Sequence, residues 1–237
     1  MQPLVITIDG PAGSGKSSAA RLLAQRLDLS VLNTGAMYRG VGLACLDAGI
    51  DPTDQPDGAV AVARRIRLDF DWSTDPPRLL IDGVDRSDRL RDPDVSAAAS
   101  KVSALPPVRQ LLVAQQQRIG REHPRLVAEG RDQGSVVFPD APVKFFLDAR
   151  ADIRARRHAK DLEAAGKPVD FETLLATMSQ RDHRDSTRKT SPLICPEGAI
   201  RIDTSEMTLD QVVDALQRIT RQRVVTVAAG GDEDRAC

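Results

Sequence analysis

Near the start of the chain, Gly10-Pro11-Ala12-Gly13-Ser14-Gly15-Lys16-Ser17 follows the pattern G-x-x-x-x-G-K-[ST]. Its glycines let the backbone turn so that successive N–H groups point inward, and a helix starting just after adds its positive end. Such a loop holds a polyphosphate. Lys16 is expected in an exposed loop, bridging β- and γ-phosphate oxygens. The Ser17 hydroxyl is expected to ligate a Mg2+ ion that neutralises them. The bland alternative is an ordinary glycine turn with a solvated lysine. A strand-like run before the loop and a helix-like run after it argue against that. A second run, SQRDHRDSTRK at 179–189, puts Arg181, Arg184, Asp185 and Arg188 on one face at 3.6 residues per turn. Taken alone, this stripe reads as a solvated face, with Arg181 and Asp185 an i,i+4 pair giving about 0.3–0.5 kcal/mol. The rest of the sequence must argue for anything sharper.

A nucleoside triphosphate with Mg2+ serves a switch, a motor or a kinase. No N-K-x-D element for reading guanine occurs in the chain, which weighs against a GTPase switch. A kinase for an alcohol needs a base near the hydroxyl. A phosphate monoester, with its second pKa of about 6, is already ionised, and the difficulty is repulsion between anions. Arginine relieves it, being always charged and gripping phosphate oxygens in a fork. Candidates are Arg39 after a second strand, Arg131 after a later one, basic residues in 150–160, and the stripe. His158 and His183 read as bystanders, because this chemistry asks for no base.

The elements that must position these residues form an α/β pattern. LVITI (4–8) and VLNTG (31–35) read as short strands, and 17–28 and 36–49 as helices, the latter stopped by Gly49. IRLDFDW (66–72) and RLLIDGVD (78–85) alternate as hairpin strands. A helix over 108–122 precedes buried-looking strands at 125–130 and 143–149, a basic stretch at 150–166, the stripe, and a last strand at 199–205. Thr208-Leu209-Asp210-Gln211 has capping-box form and opens a final helix. The expected organisation is a core over 1–49 and 106–223, a small insert over 50–105, a lid at about 150–166 and a flexible tail over 224–237.

Composition narrows the partners. The 237 residues carry 33 basic and 34 acidic side chains, so no bulk field draws the protein to nucleic acid or an anionic membrane. Cys45, Cys195 and Cys237 are scattered, with no metal-ligand spacing, as expected of a reduced, soluble, cytoplasmic protein. A nucleotide-gated RNA binder using its arginines on phosphates is the reading from another class. Near-neutral charge and few aromatics argue against it.

Four stretches then coincide with one family. DGPAGSGKSS at 9–18, NTGAMYRG at 33–40, AEGRDQGSVVFPDAPVKFFLDA at 128–149 and RDHRDSTRKTSPL at 181–193 stand in the order and spacing of bacterial cytidylate kinases, which are P-loop nucleoside monophosphate kinases. The likeness runs from about residue 4 to 218. It implies ATP-dependent phosphorylation of CMP, and usually dCMP, in pyrimidine nucleotide metabolism. It also implies an α/β P-loop NTPase fold: a parallel sheet flanked by helices, with an inserted monophosphate-binding domain and a short basic lid. A monomer working on small molecules is expected.

Carried over on this resemblance, the ATP-binding set is Gly10, Pro11, Ala12, Gly13, Ser14, Gly15, Lys16, Ser17 and Ser18, with Arg157 from a lid that also holds Arg154, Arg156 and Lys160. Thr34 and Arg39 resemble holders of the acceptor phosphate, with Tyr38 beside them, although helical packing explains Tyr38 equally. Ser100, Arg109 and Asp132 resemble readers of the cytosine edge; for Asp132 the alternative is a buttress to Arg131. Arg181, Asp185 and Arg188 resemble residues reaching the sugar and phosphate. Lys16, Arg131 and Arg188 form the catalytic set and Ser17 the metal ligand. The stripe then reads as a ligand clamp, with Arg184 a solvated or structural neighbour. Asn33 stands where many members have Asp, which alters either a magnesium contact or only a turn. Glu129 either orients a metal-bound water or makes a buried structural hydrogen bond.

Overall fold

The computed structural model of the chain describes residues 2–164 and 166–230. It divides into two compact units, one formed by 1–30 and 124–237, the other by 31–123. The second is wider than the expected 50–105 insert.

In the first unit, the β-branched run at the start forms β1 (Leu4–Asp9), whose Ile6 and Ile8 are fully buried. β1 pairs in parallel with β6 (Arg125–Gly130) on one side and with β7 (Val143–Asp148) on the other. β8 (Ile200–Asp203) extends β7, also in parallel. With β2 (Ser30–Asn33), in which the division between the units falls, the sheet order is β2-β6-β1-β7-β8. Parallel strands need crossovers, and the helices of this unit are α1 (Lys16–Leu27), α6 (Ala151–Ala164), α7 (Phe171–Thr187) and α8 (Leu209–Gly230). Both neighbours of β1 come late in the chain. The carboxyl ends of β1 and β6 therefore lie side by side, the place where open α/β sheets take ligands. The glycine-rich loop follows β1, and Arg131-Asp132 follows β6.

α8 starts with the expected capping box. The Thr208 N–H donates to Gln211 Oε1 at 2.9 Å, and the Gln211 N–H donates to Thr208 Oγ1 at 3.3 Å. The helix runs on through Gly230, past 224 where the flexible tail was expected to begin, because no glycine or proline interrupts 209–229. The rest of that tail, 231–237, lies outside the described residues.

The second unit holds α2 (Thr34–Asp47), α3 (Pro56–Arg65), α4 (Pro93–Val102) and α5 (Pro106–Glu122) beside an antiparallel sheet of β3 (Leu68–Asp71), β4 (Arg78–Ile81) and β5 (Val84–Asp85). α2 packs on α4 and α5 on α3, which draws both into this unit. Sequence reasoning missed α3 and α4. Each lies in an Asp- and Pro-rich stretch that reads as turn, yet Pro56 and Pro93 stand at the first helical position, where a missing N–H costs nothing. Gly42 allows the close approach of α2 to α4: a Cβ there would lie 2.8 Å from the Ala99 nitrogen. Gly→Ala inside an exposed helix gains about 0.5–1 kcal/mol, whereas overpacking a core costs about 1–3 kcal/mol. Gly42→Ala is therefore expected to destabilise by about 1–3 kcal/mol in urea unfolding; a gain in stability would contradict this packing.

Candidate active site

The glycine-rich loop is shaped by conformation and by close approach. Gly10 has φ 149°, and a Cβ there would sit 2.0 Å from the Leu147 carbonyl oxygen. Gly15, with φ 88°, is the left-handed residue from which α1 starts, and nothing crowds its missing Cβ. The loop is further held by Arg154 of α6. Its Nε donates to the Ala149 carbonyl at 2.8 Å and its Nη1 to the Ala12 carbonyl at 3.0 Å, and Nη1 also pairs with Asp182 of α7. Asp182 carried no sequence signal, since its partner lies 28 residues away on another helix.

Lys16 corrects one expectation. It is buried rather than exposed, 5% accessible, and its Nζ donates to the Pro11 carbonyl at 2.6 Å. The backbone turn that gathers N–H groups also folds the side chain back across the loop. Burial, with the Arg131 charge beside it, lowers the Lys16 pKa to about 7, against the pull of Glu129 and Asp9.

The Ser17 hydroxyl donates to Glu129 Oε1 at 2.8 Å. Glu129, buried at the end of β6, thus brings a carboxylate next to the oxygen assigned to Mg2+. A hydroxyl and a carboxylate oxygen are both hard ligands of the kind Mg2+ takes, so this pair is chemically suited to it. Among the described residues no cluster of three or more His, Cys, Asp or Glu could hold a metal by itself.

The stripe is resolved residue by residue. α7 ends at Thr187, and Arg188 is extended, with φ −63° and ψ 141°, so the helical stripe stops one residue earlier than expected. The chain turns back through Ser191, and the Leu193 N–H takes the Asp185 carbonyl at 2.8 Å, satisfying a helix end that α7 would otherwise leave open. Asp185 is buried, 5% accessible, and receives Arg131 Nε on Oδ2 at 3.1 Å and Arg188 Nη1 on Oδ1 at 3.6 Å. Burial opposes its ionisation, but the charges of Arg131, Arg181 and Arg188 outweigh it and hold its pKa below the usual carboxylate range. Arg188 Nε also donates to the Ser191 carbonyl at 2.6 Å. Arg184 is exposed. The solvated-face reading therefore describes Arg184 and fails for Asp185.

Of the residues expected in a lid, Arg157 donates to Thr204 Oγ1 at 3.0 Å and to the Thr204 carbonyl at 2.6 Å. Arg156 lies over the Phe171 ring, 5.6 Å from its centre. Asp132 is buried, and Gln133 Nε2 lies 3.5 Å from its Oδ1. These residues all belong to the first unit. In the second, Asn33 accepts the Ala36 N–H at 3.0 Å and so caps α2, a role Asp fills equally well. Thr34 is buried in the first turn of that helix, followed by Tyr38 and Arg39. Arg109, 2% accessible on α5, lies over the Tyr38 ring at 5.3 Å and donates to the Ser103 carbonyl at 3.2 Å. The Ser100 carbonyl of α4 accepts the Ser103 hydroxyl at 2.9 Å. The five second-unit residues expected from sequence to bind the acceptor thus fall on three adjoining helices, α2, α4 and α5.

The sequence model of the cytidylate kinase family matches residues 6–222. The chain belongs to the cytidylate kinase family. It is 47% identical to the cytidylate kinase of Mycobacterium avium over 93% of this chain and 96% of that one. With the cytidylate kinase of Azotobacter vinelandii it shares 44% over 91% and 94%. Among solved structures, an uncharacterized protein from Eubacterium ventriosum has a TM-score of 0.51, covering 93% of this chain and 99% of that one, at 14% identity, a likeness of fold alone. Among the described residues no helix is long and apolar enough to cross a membrane.

The Lys16 environment has a pH consequence. Lysine in an unfolded chain keeps its proton to about 10.4, whereas folded Lys16 releases it near 7. Between these values the unfolded state binds more protons, so the Lys16 contribution to stability rises with pH and is least favourable below about 7. Without nucleotide, Lys16→Met should melt higher than wild type at pH 6, and the gap should close toward pH 10. A gap independent of pH would mean that Lys16 is not held in this way.

Proposed function

We propose that this chain transfers the γ-phosphoryl group of ATP to CMP, and also to dCMP, giving ADP and the cytidine diphosphate. The reading rests most on identities of 44–47% to named cytidylate kinases over more than nine-tenths of each chain. We take the enzyme to act as a cytoplasmic monomer on small molecules, without nucleic acid or membrane.

The loop N–H groups and the α1 N-terminus hold the ATP phosphates. Lys16 exchanges the Pro11 carbonyl for β- and γ-phosphate oxygens. Regaining an anionic partner restores its ordinary charge. Ser17, with the Glu129 carboxylate beside it, would hold the Mg2+ that comes with ATP, which would supply charge neutralisation to the phosphates. No base is required, because the acceptor phosphate is already ionised. Arg131 and Arg188 screen the two anions from each other, and Arg181 and Asp185 keep them in place for an in-line transfer. Thr34, Tyr38 and Arg39 serve the acceptor phosphate, and Ser100, Arg109 and Asp132 the cytosine edge. Arg157 turns from Thr204 to ATP when the lid closes.

Cytosine offers an N4 amino donor beside acceptors at N3 and O2, and a carboxylate at Asp132 suits the donor. Uracil reverses two of these signs. Each unmet buried polar contact costs about 1–3 kcal/mol, so kcat/KM should favour CMP over UMP by at least about tenfold. AMP and GMP should be poorer still in a panel read by ADP release. Asp132→Ala should lose activity chiefly with CMP and narrow the CMP:UMP ratio; equal losses would make Asp132 only a buttress to Arg131.

Lys16→Ala should lose about 3 kcal/mol of transition-state stabilisation, roughly a hundredfold or more in kcat. Arg181→Ala and Arg188→Ala should weaken the acceptor by about 1.5–3 kcal/mol in kcat/KM, with little change in the KM for ATP. Near-normal turnover of the lysine variant, or arginine variants that affect only ATP, would sink these assignments.

A further inference from the structure

Asp9 is the last residue of β1 and has no accessible surface. Its two carboxylate oxygens are both engaged: Oδ1 accepts the Gln133 N–H and Oδ2 the Gly134 N–H, each at 2.8 Å. These are the first two residues of a single π-helical turn, Gln133–Val137, which follows β6. Asp132 stands at the position before that turn, where Asp ordinarily caps its own helix, yet its side chain makes no cap hydrogen bond. The cap comes instead from another strand.

A second observation shows how closely the turn is drawn to β1. A Cβ on Gly134 would lie 2.8 Å from Thr7 Oγ1 and 3.1 Å from Pro196 Cγ, so glycine is required for the approach. The arrangement is also costly to keep. Burial pushes the Asp9 pKa up to about 7, against the pull of the two N–H donors, and the neighbouring Asp132 charge pushes the same way. What a carboxylate supplies here, and a hydrophobic side chain does not, is an acceptor for each of two adjacent N–H groups. Neutral asparagine could accept only one of the two N–H groups and would turn its NH2 toward the other.

We propose that Asp9 is a positioning residue for acceptor recognition: by capping the turn at 133–134 from the base of the phosphate loop, it releases Asp132 from the capping role and fixes Arg131 and Asp132 relative to Gly10. One carboxylate thereby ties the segment that holds the donor phosphates to the segment that reads the acceptor. The proposal rests on Asp132 acting on CMP.

The test uses the full chain with Asp9→Asn and Asp9→Ser, each alone and combined with Asp132→Ala, and measures KM for ATP and CMP together with kcat/KM for CMP and UMP. Asp9→Asn should raise the KM for CMP by about tenfold, leave that for ATP within about twofold, and narrow the CMP:UMP ratio. In the Asp132→Ala background it should narrow the ratio no further, because its effect on the base passes through Asp132. Asp9→Ser, which removes the carboxylate without turning an NH2 group toward the second N–H, should lie between wild type and Asp9→Asn. Equal losses for ATP and CMP, or a ratio changed as much without Asp132 as with it, would overturn the proposal. So would failure of both variants to show a cooperative thermal transition, which would make Asp9 a folding residue. Absence of CMP turnover in wild type would sink the proposed function itself, a result distinct from all of these.

Discussion

Positive charge gathered at the strand ends is the constraint on which the first unit depends. A site for triphosphate and monophosphate needs several cations close together, and the protein must also be stable when no phosphate is present. At an effective dielectric of about 20, two like charges 4 Å apart repel by about 4 kcal/mol. Four of these cations are engaged from within. Arg131 and Arg188 share Asp185, Arg154 takes Asp182 and the Ala12 carbonyl, and Lys16 turns onto the Pro11 carbonyl with its own charge weakened. On the proposed function, the phosphates do not meet bare charges. They exchange with carbonyls and carboxylates, so affinity is the difference between two sets of contacts.

Much of this was legible in sequence wherever a short stretch sufficed. β6 spans 125–130 as read, and the capping box opens α8 as read, because alternation, caps and strand propensity are local. The glycine-rich loop was legible because its residue types are dictated by backbone conformation. α3 and α4 were not. Their opening prolines have two meanings, turn or first helical residue, and packing against α5 and α2 decides between them.

What the sequence hid lies mostly at long range. Asp9 and Gln133 are 124 positions apart, and Ser17 and Glu129 are 112 apart, so neither carboxylate announces its partner. Lys16 was expected in an exposed loop, but its side chain is long enough to reach the loop's own Pro11 carbonyl. Asn33 shows the opposite case. Its side chain caps α2, an interaction within three residues that Asn and Asp make alike, so substitution there leaves the helix start intact.

The end of α7 shows why spacing alone misjudged the stripe. Helical periodicity would keep Arg188 on the helix beside Arg181 and Asp185. Instead the backbone leaves the helix at Arg188, and Leu193 returns to close the Asp185 carbonyl. Asp185 is therefore held twice, by its backbone through the returning chain and by its side chain through two arginines. A residue fixed in both ways can hold long arginine side chains in place, so part of their rotamer freedom is already lost. Arg184, the preceding residue on the same helix, lies about 100° around the axis from Asp185 and is exposed, so a stripe drawn from spacing alone joined two positions with different surroundings.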